Sequence, residues 1–153
     1  MARSIFWVLS LAIACLALGQ PAFAQDGRYG KVKVVYHLNG QGGEGDKAYM
    51  IAMNNVKNHI AAVGQGNADI KVVMHGDGVD ILRRAKENLK LQGEIANLKS
   101  THKVAFLVCN NTLTQRKIDP DKDLFEVFKE DIVPSGVAEL SLLQSKGYTY
   151  IKP

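Results

Sequence analysis

Three short runs of apolar and β-branched residues, separated by segments of helical period, constrain the fold of this chain more than any other feature. Val32 to Leu38 (VKVVYHL), Ile70 to Met74 (IKVVM) and Lys103 to Cys109 (KVAFLVC) are the β-rich runs. The third is nearly continuous in its hydrophobicity, the signature of a strand covered on both faces. Between the first two, a helix is expected over Asp46 to Val63, with Ile51, Ala52, Val56, Ile60 and Val63 on one face and Gly64 closing it. Between the second and third, Val79 to Leu98 places Ile81, Leu82, Ala85, Leu89 and Ile95 on one face of another helix, with Gly93 weakening its middle. Strand, helix, strand, helix, strand implies parallel pairing through right-handed crossovers.

The remainder extends the pattern. Asn110 to Asp123 is polar, with Asp119-Pro120 as a turn, and a short helix is expected around Leu124 to Glu130. Ile132-Val133 reads as a brief fourth strand. Ser135 can cap a helix running to Ser145, Gly147 ends it, and Tyr148 to Ile151 reads as a fifth strand. The expectation is an α/β fold: three layers, α/β/α, around a mainly parallel five-stranded sheet.

Ahead of this pattern, Arg3, an apolar run from Ile5 to Leu18, a break at Gly19-Gln20-Pro21, and Ala22-Phe23-Ala24 have the order of a secretory signal peptide. The stretch is too short and wrongly flanked for a stable membrane span. Cleavage after Ala24 is expected, leaving residues 25–153 as a single domain in the periplasm or secreted, without membrane insertion. Cys15 could mark a lipoprotein, but Ala12-Ile13-Ala14 lacks the usual leucine and the apolar run continues past it, so Cys15 is taken as a passenger. Removal of Arg3 takes one charge from a formal net charge of +4. Lysines and acids are interspersed, with no basic stripe and no aromatic interleaving, which argues against nucleic acid as a partner.

Of the chain's 2 cysteines, cleavage would leave Cys109 alone. A chain bound for an oxidising compartment normally pairs its thiols or dispenses with them, so one thiol at a strand end needs a reason. In open parallel sheets, ligands bind outside the carboxyl ends of the strands. The residues there are Asn39 and Gly40, then His75 and Gly76, then Cys109, Asn110 and Asn111. If those strands are neighbours, a thiol, an imidazole and several amides share one rim. An imidazolium and the N–H groups of the turn after Cys109 would both favour the thiolate, which is the nucleophilic form. Each residue keeps a second reading: Cys109 as an inert buried hydrophobe, His75 as a turn histidine satisfied by backbone.

Other patterns carry less. Gly40 to Gly45 matches G-x-G-x-x-G between a strand and a helix, a fingerprint for pyrophosphate. The second strand ends in His75 instead of an acid to hold a ribose, so the loop is read as a flexible cover over the rim and no cofactor is expected. No metal site is expected either, because His37, His59 and His102 lack ligand spacing and read as solvated. A Cys-His-Asn hydrolase can be drawn from Cys109, His75 and Asn39, but no papain-type signature surrounds the cysteine.

Four blocks, in order, resemble one family. They are Val73-Met74-His75-Gly76-Asp77-Gly78, Phe106-Leu107-Val108-Cys109-Asn110-Asn111-Thr112-Leu113, Val133-Pro134-Ser135-Gly136-Val137-Ala138-Glu139-Leu140, and Gln144 to Pro153 (QSKGYTYIKP). Together they resemble the DsrE/DsrF-like family over roughly Lys31 to Pro153. The resemblance implies a small oligomeric α/β/α sulfur-handling protein whose active members carry sulfane sulfur as a cysteine persulfide. It gives Cys109 that role, with His75 facing it. The strand-end rim, independently of the resemblance, supplies Asn39, Gly76, Asn110, Asn111 and Thr112 as the residues expected around the bound sulfur. It implies a sulfurtransferase or sulfur carrier, homo-oligomeric or hetero-oligomeric and here expected as a homo-oligomer, whose partners are sulfur donor and acceptor proteins or small sulfane-sulfur compounds. Two further readings share the rim: a non-catalytic binding or assembly module docking a small ligand or a protein, and a thiol redox sensor that needs a cysteine from another chain.

Overall fold

The structure, a computed structural model, describes residues 27–153. The expected signal peptide, Cys15 and the cleavage point after Ala24 lie outside the described residues. Among the described residues five strands form one sheet: β1 (Val32–Leu38), β2 (Ala68–Met74), β3 (Ala105–Cys109), β4 (Ile132–Val133) and β5 (Thr149–Ile151). Their order is β4-β3-β2-β1-β5, and each neighbouring pair is parallel. The helices are α1 (Lys47–Val63), α2 (Asp80–Arg84), α3 (Leu89–Ser100), α4 (Asn110–Arg116), α5 (Pro120–Asp123) and α6 (Gly136–Ser145). The architecture is the expected three-layer α/β/α fold.

Chain direction decides which face each helix covers. From β1 to β2 to β3 to β4 the chain steps steadily toward one edge, so right-handed crossovers drop the intervening helices on one face. There Val34, Tyr36, Val72, Met74, Phe106 and Val108 pack against Met53, Val56 and Ile60 of α1, Leu91, Ile95 and Leu98 of α3, and Leu113 of α4. The step from β4 to β5 returns across the whole sheet, so α6 lies on the opposite face. Its Leu140 and Leu143, with Tyr148, cover Val35, Val73 and Leu107.

Three expectations are corrected. The helix expected over Val79 to Leu98 is two helices, broken between Arg84 and Leu89 and not at Gly93. Asn88 causes the break: its side-chain oxygen accepts from Leu91 N–H at 3.2 Å, an N-cap that starts α3 afresh. Leu89 consequently stands exposed, as does Ile51 on α1. The polar stretch after Cys109 contains a helix, α4, which buries only Thr112 and Leu113, too few for a period to show. The expected helix at Leu124 to Glu130 is irregular, because Glu126 has a left-handed backbone (φ 47°) that an α-helix cannot include. Leu124 and Val127 still reach the core.

Candidate functional site

Strand alternation aligns the site. Side chains of Val35, Val73 and Leu107 point to the α6 face, so two residues further on His37, His75 and Cys109 do too. β2 and β3 are neighbours with Val73 opposite Leu107, and the same register carried onward sets His75 beside Cys109. The first residue of α6 closes over both. A Cβ on Gly136 would lie 3.0 Å from the His75 Cβ and 3.2 Å from the Cys109 Cβ, so glycine there permits the approach.

Cys109 ends β3 and is also the N-cap residue of α4, in an extended conformation (φ −71°, ψ 114°). It is 5 % exposed. Burial pushes its thiol up, yet the net shift is downward. The N–H groups of Gly136, Thr112 and Asn111 and the Thr112 hydroxyl all donate toward the thiolate and outweigh the loss of water. The Thr112 hydroxyl also accepts from Gly76 N–H at 2.9 Å. One buried side chain therefore ties the loop after β2 to the cysteine after β3.

The expected site residues separate into two groups. Gly76, Thr112, Asn111, His75 and Cys109 come together. Gly76 has a left-handed backbone (φ 54°), and its carbonyl accepts from Arg116 at 2.9 Å, an arginine that also forks onto Asp80 at 3.0 and 2.9 Å. Asn110 is exposed beside this group, and Asn111 contributes its backbone amide. Asn39 lies apart, lining a cavity of about 190 Å³ with His37, Gln41, Tyr49 and Lys152. The ring of His75 is engaged by His37 and not by Asn39, so the side-chain order of a Cys-His-Asn hydrolase is not formed.

That histidine pair is what sequence reasoning missed. Nε2 of His37 and Nε2 of His75 lie 2.7 Å apart, and Nδ1 of His37 lies 2.6 Å from the Tyr150 hydroxyl. Burial, then His75, then Lys152 pull His37 down to about 4. Burial and Lys152 lower His75 as well. Both rings are neutral near pH 7. Ligand spacing alone leaves His37 reading as solvated, although it follows Val35 by two residues and so shares its face. The available signal was alternation; the missing fact was strand order. His59 instead meets Tyr36 at 2.9 Å on the opposite face. Among the described residues no group of three or more His, Cys, Asp or Glu is placed to hold a metal ion.

The glycine-rich loop is a folded turn and not a flexible cover. Gly42 is buried, and a Cβ there would come within 2.6 Å of the Tyr49 ring. The Tyr49 hydroxyl donates to Asp77 O at 2.8 Å. Burial first, then Asp80, Asp77 and Asp46, push this phenol up to about 12. Asp46 is 4 % exposed and takes Arg84 at 2.9 Å and Asn88 at 3.0 Å. The glycines serve the seat of Tyr49, and the neighbouring acids make the spot unfavourable to a pyrophosphate.

A model of the DsrE/DsrF-like family matches residues 33–153. The chain belongs to the DsrE/DsrF-like family. A solved structure of a protein of unknown function from Methanobacterium thermoautotrophicum is 30% identical, with a TM-score of 0.65 over 80% of this chain and 100% of that one. No curated protein matches. The DsrE-like family is related to sulfur relay, and the match includes the rim at Cys109. Among the described residues no helix is long and apolar enough to cross a membrane.

Proposed function

We propose that this DsrE-like protein is a periplasmic or secreted sulfur carrier that takes up sulfane sulfur on Cys109 as a persulfide. The observation that carries the reading is the ring of four donors converging on one thiol at a strand end. Donors that lower the thiol's pKa raise its share of the nucleophilic thiolate, and the same donors suit a terminal sulfur anion. In the transfer, the Cys109 thiolate attacks the sulfane sulfur of a persulfide R–S–SH. A sulfur–sulfur bond forms to Cys109, the bond to R–S breaks, and R–S⁻ leaves with its electron pair. Sulfur moves without net oxidation, so no redox cofactor is required. An acceptor thiolate takes the terminal sulfur by the same exchange in reverse.

Sulfur donor and acceptor proteins, or small sulfane-sulfur compounds, are the partners of this reading, and a homo-oligomer is its assembly. Exposed Val137 and Leu142 on α6 and Tyr150 on β5 favour an assembly face on the α6 side, which also supports the alternative of a docking module. Intact-mass spectrometry of the purified protein after polysulfide or thiosulfate decides between them. One added sulfur atom in the wild type, absent from Cys109→Ser, is the expected result. Failure to gain sulfur from either donor overturns the carrier reading in favour of the docking module.

A further inference from the structure

Tyr150, His37 and His75 form a hydrogen-bonded row that begins in solvent and ends beside Cys109, and sulfur transfer between thiolates uses neither Tyr150 nor His37. We infer that this row is a proton relay: His75 exchanges a proton with the sulfur compound at Cys109 through Nδ1, His37 restores it at Nε2, and Tyr150 restores His37 at Nδ1. The inference rests on the sulfur-carrier reading. His37 and Tyr150 act through His75 and are positioning residues.

The distances require it to be a coupled row. Two nitrogens 2.7 Å apart must share one hydrogen, since two bare lone pairs or two N–H groups would repel. The same holds for His37 Nδ1 and the Tyr150 oxygen at 2.6 Å. Only two settings satisfy both contacts with neutral rings. In one, the Tyr150 hydroxyl donates to His37 Nδ1, His37 Nε2–H donates to His75 Nε2, and His75 carries its hydrogen on Nδ1. In the other every hydrogen has moved one place: His75 Nε2–H donates to His37 Nε2, His37 Nδ1–H donates to the Tyr150 oxygen, and His75 Nδ1 is bare. Passing from the first to the second releases one proton at His75 Nδ1 and takes one in at the Tyr150 end. Neither setting contains an imidazolium, which burial and the Lys152 ammonium both oppose. Tyr150 is 40 % exposed, so its hydroxyl can exchange with water.

The exchange balances with a thiolate leaving group, and a proton delivered to that group as it departs speeds the step. When Cys109 takes sulfur from R–S–SH, the departing R–S⁻ receives the Nδ1 hydrogen and leaves as R–SH; the row is then in its second setting. When the persulfide is delivered to an acceptor thiol, His75 Nδ1 takes the acceptor's proton and the row resets. Each turnover restores every hydrogen, and no oxidant enters.

Histidine side-chain ¹⁵N NMR on the full chain tests the coupling without any sulfur donor. In the wild type both rings are neutral at pH 7, and Tyr150→Phe, which removes only a hydroxyl, shifts the tautomer balance of His37 and of His75 together. Sulfur loading of Cys109 from polysulfide is then timed by intact mass. Tyr150→Phe and His37→Gln slow it by about tenfold or more, in the range of lost general acid catalysis, while the Cys109 thiol pKa stays put. Unchanged tautomers in Tyr150→Phe, or wild-type loading rates in both variants, overturn the relay and leave the carrier reading standing. A wild type that never gains sulfur overturns the carrier reading, and the tautomer shift alone then decides whether the row is coupled. Tyr150→Phe carries the test if His37→Gln does not fold.

Discussion

The two faces of the sheet are built for different purposes. One meets α1, α3 and α4 in a continuous apolar core that includes Phe106 and Met53, both essentially without solvent contact. The other meets α6 over Val35, Val73 and Leu107, and toward the strand ends it gives way to His37, His75 and Cys109. The first face holds the fold through area removed from water; the second is thinner, so its strand ends stay open enough for titratable groups. Stability and chemistry are thus divided between opposite sides of the same three strands.

The largest expected effect falls on chemistry alone. Cys109→Ser eliminates sulfur loading, read by intact mass, while urea unfolding changes by no more than about 1 kcal/mol, because the oxygen can use the same donors. Loading that persists in the serine variant would place the sulfur chemistry away from the second face.

Next comes a contrast between cores. Phe106→Ala on the first face should cost about 3–5 kcal/mol in urea unfolding, whereas Leu143→Ala on the inner side of α6 should cost nearer 2 kcal/mol, because fewer layers close around it. Equal losses would mean that the two faces share one core.

Gly136→Ala tests the seam between the faces. Its new Cβ meets the Cβ atoms of His75 and Cys109 at 3.0 and 3.2 Å, so the start of α6 must lift. The expected cost is about 1–3 kcal/mol of overpacking. The Cys109 thiol pKa should also rise, as the Gly136 N–H moves away from the thiolate. A thiol titration that is unchanged in this variant would separate Gly136 from the cradle.

The smallest effect is on pH dependence. His37 goes from an ordinary 6.5 when unfolded down to about 4 when folded. Between those values the unfolded chain binds more protons, so this contribution is fully present above pH 6.5 and is lost as pH falls toward 4. The melting temperature should decline over that window, and His37→Gln should flatten the decline. An identical slope in the variant would assign the acid loss to other groups.

Much of this was legible along the chain. β1, the body of α1, the Ser135 cap and the short β4 follow from period and capping, which are local properties. Asn88 was legible in principle as an N-cap residue, but a continuing apolar period hid the break that it makes. α4 was hidden by its length.

Local patterning, then, determined the parallel α/β fold and placed Cys109 and His75 at strand ends, because alternation and helical period are written in neighbouring residues. Which strands adjoin was decided only by the tertiary structure. The order β4-β3-β2-β1-β5 brings His37 to His75 and swings Tyr150 and Lys152 in from the last strand, 113 residues separating His37 from Tyr150. The long return of α6 likewise brings Gly136 onto Cys109. Contacts of that range depend on how crossovers wind, which no local propensity encodes, and they turn a lone thiol into a cradle with two histidines alongside.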